Sequence, residues 1–187
     1  MLFGGRNPLD HGGYDMKKTV FTIAAVAAVF AGFSAVASAD NGSALAGVSI
    51  RLGAFMPTQT DTQNAAGSTW VGGGVDYKLQ GFALPIIPKN GTYSLSLDYA
   101  GKGSFSTVPL LLNWTTNGRA YVTFGAGVSF CKFVDGNGNS DDRARFAYAG
   151  GIGYNFNTEI PMFIEAKYFG NDQPRVAGVG VYLGWRF

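Results

Sequence analysis

Histidine and cysteine are nearly missing from this sequence. Its 187 residues contain one of each, His11 and Cys131. A lone cysteine allows no internal disulfide, so no covalent staple holds the fold. With no histidine beyond position 11, Ser-His and Asp-His mechanisms have no base, and the usual imidazole metal sites have no ligand. Charge is also scarce. Charged residues make up 14% of the chain, against about 25% in an ordinary globular protein. The formal net charge of +2 gives no reason to expect nucleic acid as a partner. Glycine is abundant instead, with 28 residues, and aromatics reach 14%. The glycine content is about twice the usual share of roughly 7%. That mixture disfavours helical bundles and suits closely packed strands. The length is that of one domain.

The N-terminal part divides in two. Residues 16–39 read as a secretory signal peptide. Met16-Lys17-Lys18 is the charged region, Thr19 to Phe33 the apolar region, and Ala37-Ser38-Ala39 the small-residue cleavage site. Asp40 is then the first mature residue. A membrane-anchoring helix is the competing reading. It is disfavoured because the stretch is short, alanine-rich and followed by a cleavage site. Residues 1–15 carry Pro8, Asp10, His11 and Asp15, which no signal peptide needs. They read as an upstream extension, with Met16 as the true initiator. Gly12-Gly13 can be encoded as GGA-GGN, a ribosome-binding sequence. The remaining segment, 40–187, is the domain to be explained.

Its clearest stretch is the last. From Ala177 to Phe187, the residues Ala177, Val179, Val181, Leu183, Trp185 and Phe187 share one strand face. Gly178, Gly180, Tyr182, Gly184 and Arg186 share the other. Seven earlier stretches show the same alternation, at about 46–56, 69–79, 92–100, 105–115, 119–133, 143–156 and 161–169. Pro57 closes the first. Pro109 interrupts the fourth, where a bulge is expected. Asn117-Gly118 is a hairpin signal. Most of these stretches have the length that crosses a bilayer at the usual tilt. Loops are expected at 58–68, 101–104, 134–142 and 171–174 at one end. Short turns are expected at 116–118 and 157–160 at the other. The segment 80–91, with Phe82, Leu84, Ile86 and Ile87, is too apolar and too long for such a turn.

Within the strand cores, every charge falls opposite the aliphatic face. Arg51, Asp76, Lys78, Asp98, Arg143, Arg145, Glu165 and Lys167 are all on the inward side of a barrel with apolar residues outside. A structural ion-pair network in the lumen is the expected role, since buried charges must be paired. Outward aromatics fall into two groups, Tyr77, Tyr93, Trp114, Tyr154, Phe156, Trp185 and Phe187 at one height, Tyr99, Phe130, Phe146, Tyr148 and Tyr168 at the other. Two such girdles mark the two interfaces of a membrane. Tyr182 and Arg186 are expected inside the mouth beside the termini. Cys131 is expected to face inward as a small packing residue.

The closing strand ending in Phe187, with the alternation before it, resembles the small eight-stranded OmpA/OmpX-like outer-membrane barrels. The resemblance covers 46–187. It implies an all-β, eight-stranded antiparallel up-and-down transmembrane β-barrel behind a cleavable signal peptide, located in the bacterial outer membrane. It implies outer-membrane lipid as surroundings, and Val181, Leu183, Trp185 and Phe187 as the signal read by the barrel-assembly machinery. A monomer without cofactor, metal or nucleic acid is expected. Enzymes of this architecture (lipid A deacylases, palmitoyltransferases, proteases) use a histidine, which residues 40–187 lack, so an enzyme is not expected. A structural or adhesion-type role follows, with a lumen filled by side chains. The alternatives are a soluble periplasmic ligand-binding barrel and a narrow ion-conducting barrel. Asp135, Asn137 and Asn139 partly match a calcium loop, but Ser140 stands where glycine is needed and Phe146 where an acid is needed.

N-terminal sequencing of the exported protein is expected to begin at Asp40, and of the precursor at Met16. A precursor carrying any residue before Met16 overturns the start-site reading.

Overall fold

The computed structural model describes residues 46–82, 90–134, 140–156, 161–172 and 174–187. The expected signal peptide and start site, the calcium-like residues 135–139, the turn 157–160 and most of the apolar segment 80–91 lie outside them. The described chain is all-β apart from one short α-helix and one 3-10 turn. Its strands are β1 (Val48–Pro57), β2 (Trp70–Lys78), β3 (Gly91–Lys102), β4 (Phe105–Thr116), β5 (Ala120–Val134), β6 (Ser140–Asn155), β7 (Met162–Asn171) and β8 (Gly178–Arg186). Each pairs antiparallel with the next, and β8 returns to β1, closing the barrel.

The register fixes the barrel's size. From Gly47, whose carbonyl takes the Lys78 N–H, the ladders lead through Ser94, Asn113, Gly125, Ala149, Phe169 and Gly178. Gly178 in turn faces Pro57. One circuit thus arrives ten residues further along the same stretch of chain, Gly47 to Pro57. Eight strands with that stagger tilt by roughly 40° and leave an interior that side chains can fill.

Period-two alternation then sorts the side chains. Leu52, Val71 and Ile152 are each about two-thirds exposed on the outer face, and Phe124 is exposed between them. Phe55, Trp70, Leu111, Phe163, Phe169 and Tyr182 are buried inside. Tyr148 lies against Phe146 and Tyr168 at one rim of the outer face, and Tyr154 against Phe156 at the other. Tyr93 also points outward but is buried, with the Phe82 ring edge-on against it at 5.3 Å. Where the apolar segment begins, it covers the barrel wall instead of leaving it.

Three expectations change. Residues 58–68 are not simply a loop, because Thr60–Ala66 form a helix, α1, lying over the end of the barrel remote from Gly47 and Phe187. Gly67 ends it with φ +87, a conformation side chains resist. Residues 140–142 are not loop either but the start of β6, opposite Lys132, Phe133 and Val134. Pro109 causes no bulge. The β3–β4 ladder skips Asp98 and Tyr99 opposite Val108 and Pro109, then resumes in the same register. The β4–β5 ladder runs through Pro109 without a break. A missing N–H removes a hydrogen bond but inserts no residue.

Closure depends on a close approach at the β1–β8 seam. A Cβ on Gly53 would overlap the Val181 carbonyl and crowd the Tyr182 backbone. Gly53→Val is therefore predicted to cost more than the about 1–3 kcal/mol typical of overpacking, since backbone cannot rotate away. After refolding in detergent, it should run mostly as the unfolded band on an unheated gel. Leu52→Val, one residue away and facing outward, should refold like the parent.

Candidate functional site in the barrel lumen

The lumen has three storeys. The middle one is ionic. Arg51 sits on β1 between Gly74 of β2 and Gly184 of β8; a Cβ on Gly74 would strike the Asp98 carboxylate, and one on Gly184 the Phe163 ring. The Arg51 guanidinium donates through Nη1 to Asp76 and through Nη2 to Asp98. Lys167 Nζ lies 3.6 Å from the other Asp98 oxygen. That oxygen also accepts from Ser96 Oγ at 3.2 Å, and Asn113 Nδ2 donates to Ser96 Oγ at 2.7 Å. Arg51, Asp98 and Lys167 are almost wholly buried. Burying an ion costs several kcal/mol unless partners surround it, and here each ion has at least one. Glu165 completes the group from β7, with Oε2 accepting from Tyr121 OH at 3.0 Å.

Above this storey, toward α1, the lumen is apolar. Phe55 packs on Trp70 at 5.5 Å and on Phe169 at 6.4 Å. Trp70 reaches Phe105, and Phe169 meets the edge of Tyr182. The Trp70 indole N–H donates to the Gly67 carbonyl at the end of α1. Gln63 on the helix donates to the Pro57 carbonyl at 2.6 Å. Thr62 on α1 and Val176 in the 3-10 turn Pro174–Val176 are fully buried. Thr107, Ser129 and Cys131 cluster on the β4–β5 wall through the Thr107–Ser129 hydroxyl pair at 2.7 Å.

Below the ions, at the end bearing Gly47 and Phe187, the lumen opens. A vestibule of about 400 Å³ reaches down from Arg51, Asp76, Glu165 and Lys167 to Lys78 and Arg186 at its mouth. Ser49, Thr92, Ser94, Thr115 and Thr123 line its walls. Arg186 lies over the faces of two rings, 5.2 Å from Tyr121 and 4.8 Å from Phe163.

Of the eight charged residues expected in the lumen, the structure brings five together: Arg51, Asp76, Asp98, Glu165 and Lys167. Lys78 stands apart at the open mouth and is exposed. Arg143 and Arg145 lie near the opposite end of β6, where Arg143 is exposed and Arg145 faces Asp172 at 3.6 Å. Arg186 is at the mouth as expected. Tyr182 is higher, in mid-lumen, with its ring 5.9 Å from the Arg51 guanidinium. Val181 and Leu183 are outward and exposed, as is Phe187, with Trp185 half-buried. Sequence reasoning missed the aromatic storey. Its signal was present in Phe55, Trp70 and Phe169, large residues on inward positions of three strands, all toward the same end.

No protein-family model and no curated protein matches the chain. Among solved structures it is similar to the Yersinia pestis outer membrane protein Ail, whose backbone structure is of the protein in a phospholipid bilayer nanodisc. The two share 15% sequence identity and a TM-score of 0.47, over 75% of this chain and 98% of that one. At that score and identity the likeness adds no argument to the register of the eight ladders, on which the fold rests.

Replacing Arg51 leaves Asp76 and Asp98 facing each other without the cation they share. Arg51→Leu is predicted to destabilise the barrel by about 3–5 kcal/mol, read as a lower urea midpoint for the refolded protein by tryptophan fluorescence. Lys78→Gln, at an exposed position, should stay within about 0.5 kcal/mol of the parent.

Proposed function

We propose that this chain is an integral protein of the bacterial outer membrane, with a structural or surface-interaction role of the adhesion type. One observation carries the reading. The barrel is inverted relative to a soluble protein: its ions and hydrogen-bonded polar groups are inside, and its aliphatic side chains are outside. Water does not favour a continuous apolar wall; hydrocarbon does, and a closed barrel leaves no unpaired strand edge within it. The aromatic pairs at the two rims fit the two interfaces. In this reading residues 16–39 export the chain and are removed, and 40–187 insert. The outward row Val181, Leu183, Trp185 and Phe187 is what the assembly machinery reads. The barrel sits in outer-membrane lipid as a monomer, with the vestibule facing the periplasm and α1 facing outside.

The same geometry weighs against the alternatives. A soluble carrier of apolar molecules needs an apolar interior, and the middle of this one is ionic. A conducting barrel needs a path. Above Lys167, the residues Phe55, Trp70, Leu111, Phe169 and Tyr182 are each less than 5% exposed. Residues 40–187 contain no histidine, and no catalytic role is assigned.

Cell fractionation with gels of heated and unheated samples tests this. The protein is expected in the detergent-soluble envelope fraction, with faster migration unheated than boiled. Recovery in the soluble periplasmic fraction without a mobility shift overturns the reading. Purified protein in planar bilayers is expected to show no steady conductance.

A further inference from the structure

The outer wall of the barrel is not even. Across β5, β6, β7 and β8 it carries a groove of about 560 Å³. Two small outward residues, Ala120 on β5 and Ala166 on β7, make the depression. Val122 and Ile152, opposite each other on β5 and β6, border it on the side away from the mouth. Tyr154 and Ile164, opposite each other on β6 and β7, border it on the side toward the mouth. Gly153 also lines it, although a Cβ there would point inward onto the Tyr121 ring. Between its two borders the groove therefore reaches the backbone of the wall.

The groove has a direction. The stagger that takes one circuit from Gly47 to Pro57 lifts each cross-strand row away from the mouth as it passes from β5 to β8. The groove thus starts low, at Thr116 and Ala120 beside the β4–β5 turn, and climbs obliquely to Val181, opposite Ala166. A cation stands at its foot. Arg119 is exposed, adjoins Ala120 in the chain, and its carbonyl takes the Asn155 N–H. No carboxylate of the described residues pairs with it.

A hollow in a wall facing hydrocarbon forfeits the dispersion contacts of its lining unless something apolar fills it. Here the hollow is long, opens at the interface and begins beside a guanidinium. An apolar chain with an anion at its head meets all three features. We propose that the groove holds one acyl chain of a glycerophospholipid from the mouth-side leaflet, with its phosphate on Arg119. A guanidinium takes a phosphate through two parallel hydrogen bonds, and basic side chains at the interface are drawn to anionic headgroups. The inference rests on the membrane reading given above and adds to it one defined lipid site.

The test is native mass spectrometry of the refolded barrel in detergent micelles, titrated with dioleoyl phosphatidylglycerol or, separately, with dioleoyl glycerol, which has the same chains and no phosphate. One phosphatidylglycerol is expected to bind each barrel in a saturable way. Dioleoyl glycerol should bind on the order of tenfold more weakly, lacking the charge-assisted contact. Arg119→Gln should weaken phosphatidylglycerol by a similar factor and leave dioleoyl glycerol unchanged. Ala166→Phe fills the groove and should weaken both. Ala126→Phe, also outward but outside the groove, should weaken neither. Each variant is compared only where it keeps the folded mobility of the parent on an unheated gel. Absence of a saturable one-to-one adduct overturns the proposal, as does binding unchanged by Arg119→Gln or by Ala166→Phe. A lipid-free dimer that Ala166→Phe disperses also overturns it, making the occupant a second copy of the chain. Fractionation decides membrane location separately, so a barrel that fractionates with the envelope but takes up no phosphatidylglycerol fails this proposal alone.

Discussion

The constraint behind the rest of this structure is closure. Once β8 pairs with β1 in the observed register, the number of strands and their stagger fix the radius, and the radius fixes how much the lumen must hold. An interior that narrow is filled by side chains over most of its height, with the vestibule left open at one end. Bulk on one strand has to be matched by its absence on the next. Tyr182 fits in the lumen because Gly72 and Gly180 carry no Cβ to collide with its ring. Gly74 and Gly184, on either side of Arg51, make the same room for Asp98 and Phe163. At these positions glycine is a packing requirement, set by large side chains nearby.

Much of this was legible from alternation alone. The strands, their pairing order, the outward aliphatic row and the inward placement of every core charge follow from a period of two, which allows only two faces. The parts that were not legible depend on height along the barrel, which alternation does not encode. Arg145 and Arg51 share a face but lie at different levels, and stagger separates them: Arg145 faces Ser129 and lies near Asp172, whereas Arg51 meets Asp98 at mid-lumen. Phe55, Trp70 and Phe169 gather only once the same stagger brings β1, β2 and β7 to one level. The helix Thr60–Ala66 was hidden because its polar sequence, Thr-Asp-Thr-Gln-Asn-Ala-Ala, carries little helical periodicity. It is held by contacts made elsewhere, from Gln63 to Pro57 and from Trp70 to Gly67.

The ionic storey shows how a small barrel uses charge without great expense. One guanidinium serves two carboxylates, and a lysine shares one of them, so few side chains satisfy several ions at once. Such a group is weak evidence for stability compared with a well-packed apolar core, but removing one member is costly. It also fixes orientation, because Arg51, Asp76 and Asp98 come from three adjacent strands and meet only in the native register. An apolar lumen tolerates slippage between strands more readily than one in which bidentate partners must meet.

The two unlike ends of the lumen have a further consequence. With aromatic rings and α1 over one end and an open vestibule at the other, the described barrel is a cup, not a pipe. Among the described residues, its interior opens at one end only. Among the described residues, Phe55, Trp70, Leu111, Phe169 and Tyr182 stand between the helix side and the ionic storey, while the vestibule leads toward it from the mouth side. In a membrane separating two environments, the ionic interior belongs chemically to one of them, however exposed the opposite rim is to the other.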